Sequence, residues 1–197
     1  MQMPVWVALA TLLVTASAAM AQPVTFLDLD GQVVTATVVY DRTLRRLDNG
    51  RVVNNTSTQT ITLTIGPGNL IDQVHAVAVT GADGRPRGSN SFSGTFELNK
   101  PRKGRGGEVI WIFDDGKLVR LQTFETGGRR VTIAFKRSPA GLTCSIDAPF
   151  AKEEGADTIQ NQAALGNFKV QLLSVKQGKT QCSVAKRKSA EARGRRI

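Results

Sequence analysis

Hydrophobic and polar residues alternate along most of this chain with a period of two, the spacing that sends successive side chains to opposite faces of a pleated strand. The pattern is clearest between residues 108 and 137. Val109, Trp111 and Phe113 alternate with Ile110 and Ile112, and Asp114-Asp115-Gly116 then supplies a turn. From Lys117 to Glu125, Leu118 and Arg120 share one face while Val119, Leu121 and Thr123 share the other. Gly127-Gly128 turns the chain again, and Val131, Ile133 and Phe135 alternate with Arg130, Thr132, Ala134 and Lys136. Alternating runs joined by Asp-Gly and Gly-Gly predict an antiparallel meander.

The flanking segments repeat the pattern. Val24 to Leu29, Asp30-Gly31 and Val33 to Tyr40 predict a first hairpin. Between Thr58 and Ile65, Ile61, Leu63 and Ile65 alternate with three threonines before Gly66-Pro67-Gly68. Leu70 to Thr80 sets Val74, Ala76 and Ala78 against His75, Val77 and Val79. Gly94 to Leu98, Leu142 to Ile146, Phe168 to Val175 and Thr180 to Ala185 are further strand candidates, rich in the β-branched residues that suit a pleated surface. Roughly ten or eleven strands predict an all-β, antiparallel fold, a sandwich or small barrel built around the 108–137 meander. At most one short helix is expected, within Lys152 to Leu165, where Gly155 and Gly166 confine it. The stretch from Gly81 to Gly107, dense in Gly, Pro, Ser and Arg, reads as a long loop in which only Gly94 to Leu98 is strand-like.

The beginning of the chain has a different character. Met1 to Ala21 carries no charged side chain, and Val5 to Val14 is continuously apolar apart from Thr11. Small residues follow and end in Ala19-Met20-Ala21, the A-x-A pattern that precedes signal-peptide cleavage. Residues 1–21 are therefore expected to be a signal peptide, residues 22–185 a single β-rich domain, and 186–197 a basic, disordered tail. The alternative is an uncleaved membrane anchor. A spanning helix needs about 20 predominantly apolar residues, and Thr11, Thr15 and Ser17 dilute this run. The expected location is periplasmic or secreted, with no transmembrane span in the mature chain. The two cysteines, Cys144 and Cys182, fit that address as a disulfide. They close a loop of about 37 residues, worth roughly 3–4 kcal/mol on the chain-entropy account.

Composition narrows the picture further. A hydrophobic share of 41% in 197 residues is enough to build a core and argues against wholesale disorder. The formal net charge is +10, and the last twelve residues, with six basic side chains and one Glu, hold half of it. A second basic cluster, Lys100, Arg102, Lys103 and Arg105, is the candidate contact for a polyanion, either an anionic envelope component or an acidic polymer. Nucleic acid is disfavoured as partner, because export removes the protein from it and only Phe92 and Phe96 offer stacking rings nearby.

No residue set declares a chemistry. His75 is the only histidine and sits inside a strand candidate, where a structural role is expected. Asp28, Asp30 and Gly31, like Ala82-Asp83-Gly84, lack the spacing of a calcium loop and read as Asp-Gly turns. Gly88 to Gly94 is not a nucleophile elbow, and Gly104-Arg105-Gly106-Gly107 lacks the Lys of a phosphate loop. No cofactor and no metal are expected. The function expected is a non-enzymatic envelope or periplasmic binding or structural domain. The alternative is a hydrolase or isomerase of unfamiliar type, drawing on Asp114 and Asp115 or on Tyr40 and His75. A deep pocket of converging polar groups with shifted pKa values is the feature that would favour an enzyme.

Overall fold

Six strands pair into one antiparallel sheet, with β-branched residues densest in its central members. Its strands are β1 (Gln32–Arg46), β2 (Val52–Gly66), β3 (Leu70–Gly81), β4 (Pro86–Glu97), β10 (Ile159–Gln162) and β11 (Phe168–Lys186), in the order β10-β11-β1-β2-β3-β4. The second sheet is the predicted meander extended at both ends. It comprises β5 (Arg102–Gly104), β6 (Gly107–Asp114), β7 (Lys117–Phe124), β8 (Gly127–Ser138) and β9 (Gly141–Asp147), in sequence order. The computed structural model describes residues 22–104, 107–124, 127–149, 159–162 and 168–187. The two sheets stack as a sandwich and do not close into a barrel.

Alternation decides what lies between them. Val34, Ala36 and Val38 of β1 and Ile61, Leu63 and Ile65 of β2 are buried, as are Trp111 of β6, Leu118 of β7, Ile133 of β8 and Ile146 of β9. Each of the valines, leucines and isoleucines among them contributes about 1.5–3 kcal/mol on leaving water. At the β6–β7 hairpin Asp114 pairs with Lys117, so the turn is only Asp115 and Gly116, both at positive φ (44° and 68°). That twist matches the strands it joins. Cys144 on β9 and Cys182 on β11 are bonded, with their Cα atoms 5.5 Å apart, and the bond ties the two sheets together at one side. A formed disulfide points to an oxidising, extracytoplasmic location. Among the described residues no helix is long and apolar enough to cross a membrane. At the other side the chain passes from β4 to β5 through residues 98–101, leaving the two edge strands next to each other.

Several elements depart from the sequence reading. Val24–Leu29 is not the first arm of a hairpin: Phe26–Leu29 is a single 3₁₀ turn. The Asp28 carboxylate accepts from both the backbone N–H and the hydroxyl of Thr25, at 2.7 and 2.9 Å, which curls the segment before it can extend. The turn drops Leu29 into the core, completely buried, and leaves Leu27 in water. The stretch 81–107 is not mainly loop, since β4 and β5 lie within it. On edge strand β4 most side chains face solvent, so backbone pairing with β3 holds a strand that shows no hydrophobic alternation. The segments 168–175 and 180–185 are one continuous strand, β11, bent by register shifts against β1. Within the expected short helix, 159–162 is strand β10, and the rest of that segment lies outside the described residues. So do the expected signal peptide, Arg105 and the tail beyond Arg187.

Candidate functional site

The inward face of β7 changes character along its length. Leu118 lies opposite Phe113 and Ile133, Arg120 opposite Trp111 and Val131, and Gln122 opposite Val109 and Arg129. The interior thus turns from oil to charge within two residues of one strand. Across the sandwich, β3 mirrors the change: Ile71 is followed inward by Gln73 and His75, all three buried. On β2 the inward positions run from Ile65 through Ile61 to Gln59, Ser57 and Asn55.

Arg120 is the centre of this polar half. It is 2% exposed, its Nη1 donates to Gln122 Oε1 at 2.8 Å, and its Nε has no partner among the described residues. Arg129 donates through Nη2 to Gln59 Oε1 at 2.6 Å and to the Tyr40 hydroxyl at 3.4 Å, while its Nε is also unpartnered. Among the described residues no carboxylate forms an ion pair with either guanidinium. Burial, and then Arg129, pull the Arg120 pKa down to about 10. His75 is 5% exposed and packs edge-on to Phe92, ring centroids 4.7 Å apart. Burial first, then Arg129 and Arg120, lower its pKa to about 4, so it is neutral at ordinary pH. A buried charge without a counter-charge costs several kcal/mol even after relaxation, which makes Arg120 the most expensive side chain in the interior.

A cleft of about 460 Å³ opens from this region to solvent at the adjoining edges of the two sheets. Arg120 and Gln122 form its inner wall, Phe92, Phe96 and Val109 its apolar lining, and Arg102 and Lys103 flank it from β5. Arg102 is fixed by donation to the Thr95 carbonyl at 2.6 Å and lies over the Phe96 ring, 5.4 Å from its centroid. No protein-family model, curated protein or solved structure matches this chain. The site is therefore read from its geometry.

The structure divides the basic cluster picked out in the sequence. Arg102 and Lys103 sit on the cleft. Lys100 is turned to Glu97, its Nζ 2.6 Å from the carboxylate, and Arg105 lies outside the described residues. The carboxylates weighed for catalysis stand elsewhere: Asp114 and Asp115 are exposed at the β6–β7 turn, where Asp115 faces Lys117 at 3.6 Å. Tyr40 is buried, its hydroxyl donating to the Ala148 carbonyl, and burial raises its pKa. Ser57 and His75 do not form a nucleophile–base pair, because Ser57 is in register with Val79 and His75 with Ile61. That offset of four residues is about 13 Å along the strands.

Sequence reasoning missed Arg120, Arg129 and Gln73. The signal was present, since Arg120 was assigned to the face of Leu118 in a strand flanked by two alternating neighbours. An arginine on that face, level with Trp111 and Val131, has nowhere to go but inward.

Proposed function

We propose that this chain is an exported, non-enzymatic binding protein of the periplasm or extracellular space, and that it takes an anionic ligand in the cleft between β4 and β5. Arg120 carries the reading: a guanidinium 2% exposed, on the wall of a cleft that reaches solvent, whose Nε has no partner and which has no carboxylate partner among the described residues. The neighbouring orphan groups support it. The Nε of Arg129 and the Nε2 of Gln73 are donors only, so the region offers hydrogen atoms and positive charge in search of an acceptor. The cleft volume falls in the range usual for small-ligand sites. Arg102 and Lys103 at the mouth would attract the ligand by long-range charge.

The test is a set of unfolding curves for the mature chain with inorganic phosphate, acetate and octanoate at fixed ionic strength. A ligand that binds only the folded state raises the midpoint. At least one of the three is expected to do so, and Arg120→Met is expected to remove the effect. A midpoint that none of them moves, or that moves equally in Arg120→Met, overturns the reading. A broader role for the surface charge, attraction to an acidic polymer, has its own check. Retention on heparin should fall when Lys100, Arg102, Lys103 and Arg105 become Ser, and unchanged retention removes it. Export is checked by sequencing the mature N-terminus, which should begin at Gln22.

A further inference from the structure

We infer that the ligand of this cleft is a single-chain amphiphile, a carboxylate or phosphate head on an alkyl or aryl tail, with the head at Arg120 and the tail against Phe92, Phe96 and Val109. The inference rests on the anion-binding reading above and narrows it to one chemical class.

An inorganic anion would use only the cationic wall. The rest of the cleft is built for something else. Phe92 is 48% exposed on the edge strand, packed against His75 on one side and facing the cleft and solvent with the rest of its open surface. A large aromatic left in solvent beside a buried arginine gains stability only when an apolar group covers it. Phe96 is held beside it, with the Arg102 guanidinium stacked on its ring. Between them the rim carries only the small Ser93 and Gly94. A Cβ placed on Gly94 would stand 3.0 Å from Arg102 Nη1 and 3.4 Å from the Phe96 ring, so a larger residue would crowd the Arg102 guanidinium over that ring. The deep charge and the apolar lining together match a molecule with one charged end. Octanoate and octyl phosphate are the simplest such molecules, and they separate the two headgroup chemistries.

Binding to the mature chain is measured by calorimetry, with octanoate, octyl phosphate, acetate, inorganic phosphate and octanol as probes. Octanoate or octyl phosphate should bind at least ten-fold tighter than acetate or inorganic phosphate, and octanol should bind at least ten-fold more weakly than the better of the two. Phe92→Ser, at an exposed position that leaves the core intact, should weaken that amphiphile at least five-fold and leave its headless counterpart unchanged. Arg120→Met should abolish binding of both. If acetate or phosphate binds as tightly as its eight-carbon relative and Arg120→Met abolishes it, the amphiphile is overturned and the anion site stands. If nothing binds, or Arg120→Met binds as the parent does, both readings fall. Octanol binding as tightly as octanoate overturns the role given to the head.

Discussion

Gln73 and Trp111 meet across the sandwich, the indole N–H of β6 donating to the side-chain carbonyl on β3 at 3.2 Å with both residues almost fully buried. The bond sits where the interior changes solvent character. On one side Leu63, Ile65, Leu118 and Ile133 are packed dry. On the other stand Arg120, His75 and Arg129. A tryptophan suits such a boundary because its ring is apolar and its one polar atom is a donor. Gln73 answers that donor, and its own Nε2 has no partner among the described residues.

Arg120→Met is expected to make the protein more stable, by about 1–3 kcal/mol, while removing ligand binding. Replacing an uncompensated buried charge by an apolar side chain of similar length removes a desolvation cost, and such swaps are commonly neutral or stabilising. Urea unfolding of parent and variant, compared at equal m-value, measures the difference. A loss of stability would mean that Arg120 is compensated within the fold and is not held for a ligand.

His75 makes stability depend on pH in a definite direction. Its pKa is about 4 in the folded protein and near the ordinary 6.5 in the unfolded chain. The unfolded chain therefore takes up a proton first as pH falls. The folding free energy is fully present above about pH 6.5, declines below it, and stops declining on this account below about pH 4. At pH 5 the loss is about 2 kcal/mol, and over the full window about 3 kcal/mol. It is the only histidine, so the decline between pH 6.5 and 5 isolates it from the carboxylates. His75→Leu should flatten the stability curve in that window, and a curve of unchanged slope would refute the assignment.

The disulfide is expected to carry about 3–4 kcal/mol, because it closes a long loop and joins opposite sheets of the sandwich. Equilibrium unfolding of Cys144→Ser/Cys182→Ser against the parent measures it. Since β9 and β11 belong to different sheets and share no hydrogen-bonded ladder, reduction should loosen that side first. Faster hydrogen exchange at residues 141–147 than in β7 is the expected sign.

How much of this was legible follows the energetics of each element. The 108–137 meander was readable because its inward residues are apolar up to Arg120, Gln122 and Arg129 and its β6–β7 turn is Asp115-Gly116 at positive φ, whereas Gly127-Gly128, expected to turn, opens β8 and pairs with Phe124 and Thr123. Strand β4 was not, because Gly88-Ser89-Asn90-Ser91 is held by the ladder to β3 and presents no buried face. The 3₁₀ turn at Phe26 was lost to one side chain, Asp28, which outcompetes extension through two bonds to Thr25. The cleft was half visible: Arg102 and Lys103 were picked for their charge, but Arg120 escaped because charge is ordinarily read as surface. Its meaning appears only when β7 is seen between two strands whose inward residues are buried.

The β6–β7 turn allows backbone conformation to be separated from crowding. Gly116 is at φ +68° and an added Cβ would lie 3.5 Å from the Phe135 carbonyl, an ordinary contact. Gly178, where β11 shifts register against β1, has the same nearest distance, 3.5 Å to the Val39 carbonyl, without a left-handed backbone. Space is therefore equal at the two sites and only φ differs. A side chain in the left-handed region costs about 1–2 kcal/mol, and at Gly116 the strain falls on a residue whose carbonyl accepts the Phe135 N–H at 2.8 Å. Gly116→Ala should lose that amount in urea unfolding, whereas Gly178→Ala should change stability by less than about 0.5 kcal/mol or raise it slightly, because alanine has less freedom to lose on folding. Equal losses at both positions would show that packing, not the left-handed backbone of the turn, fixes glycine at Gly116.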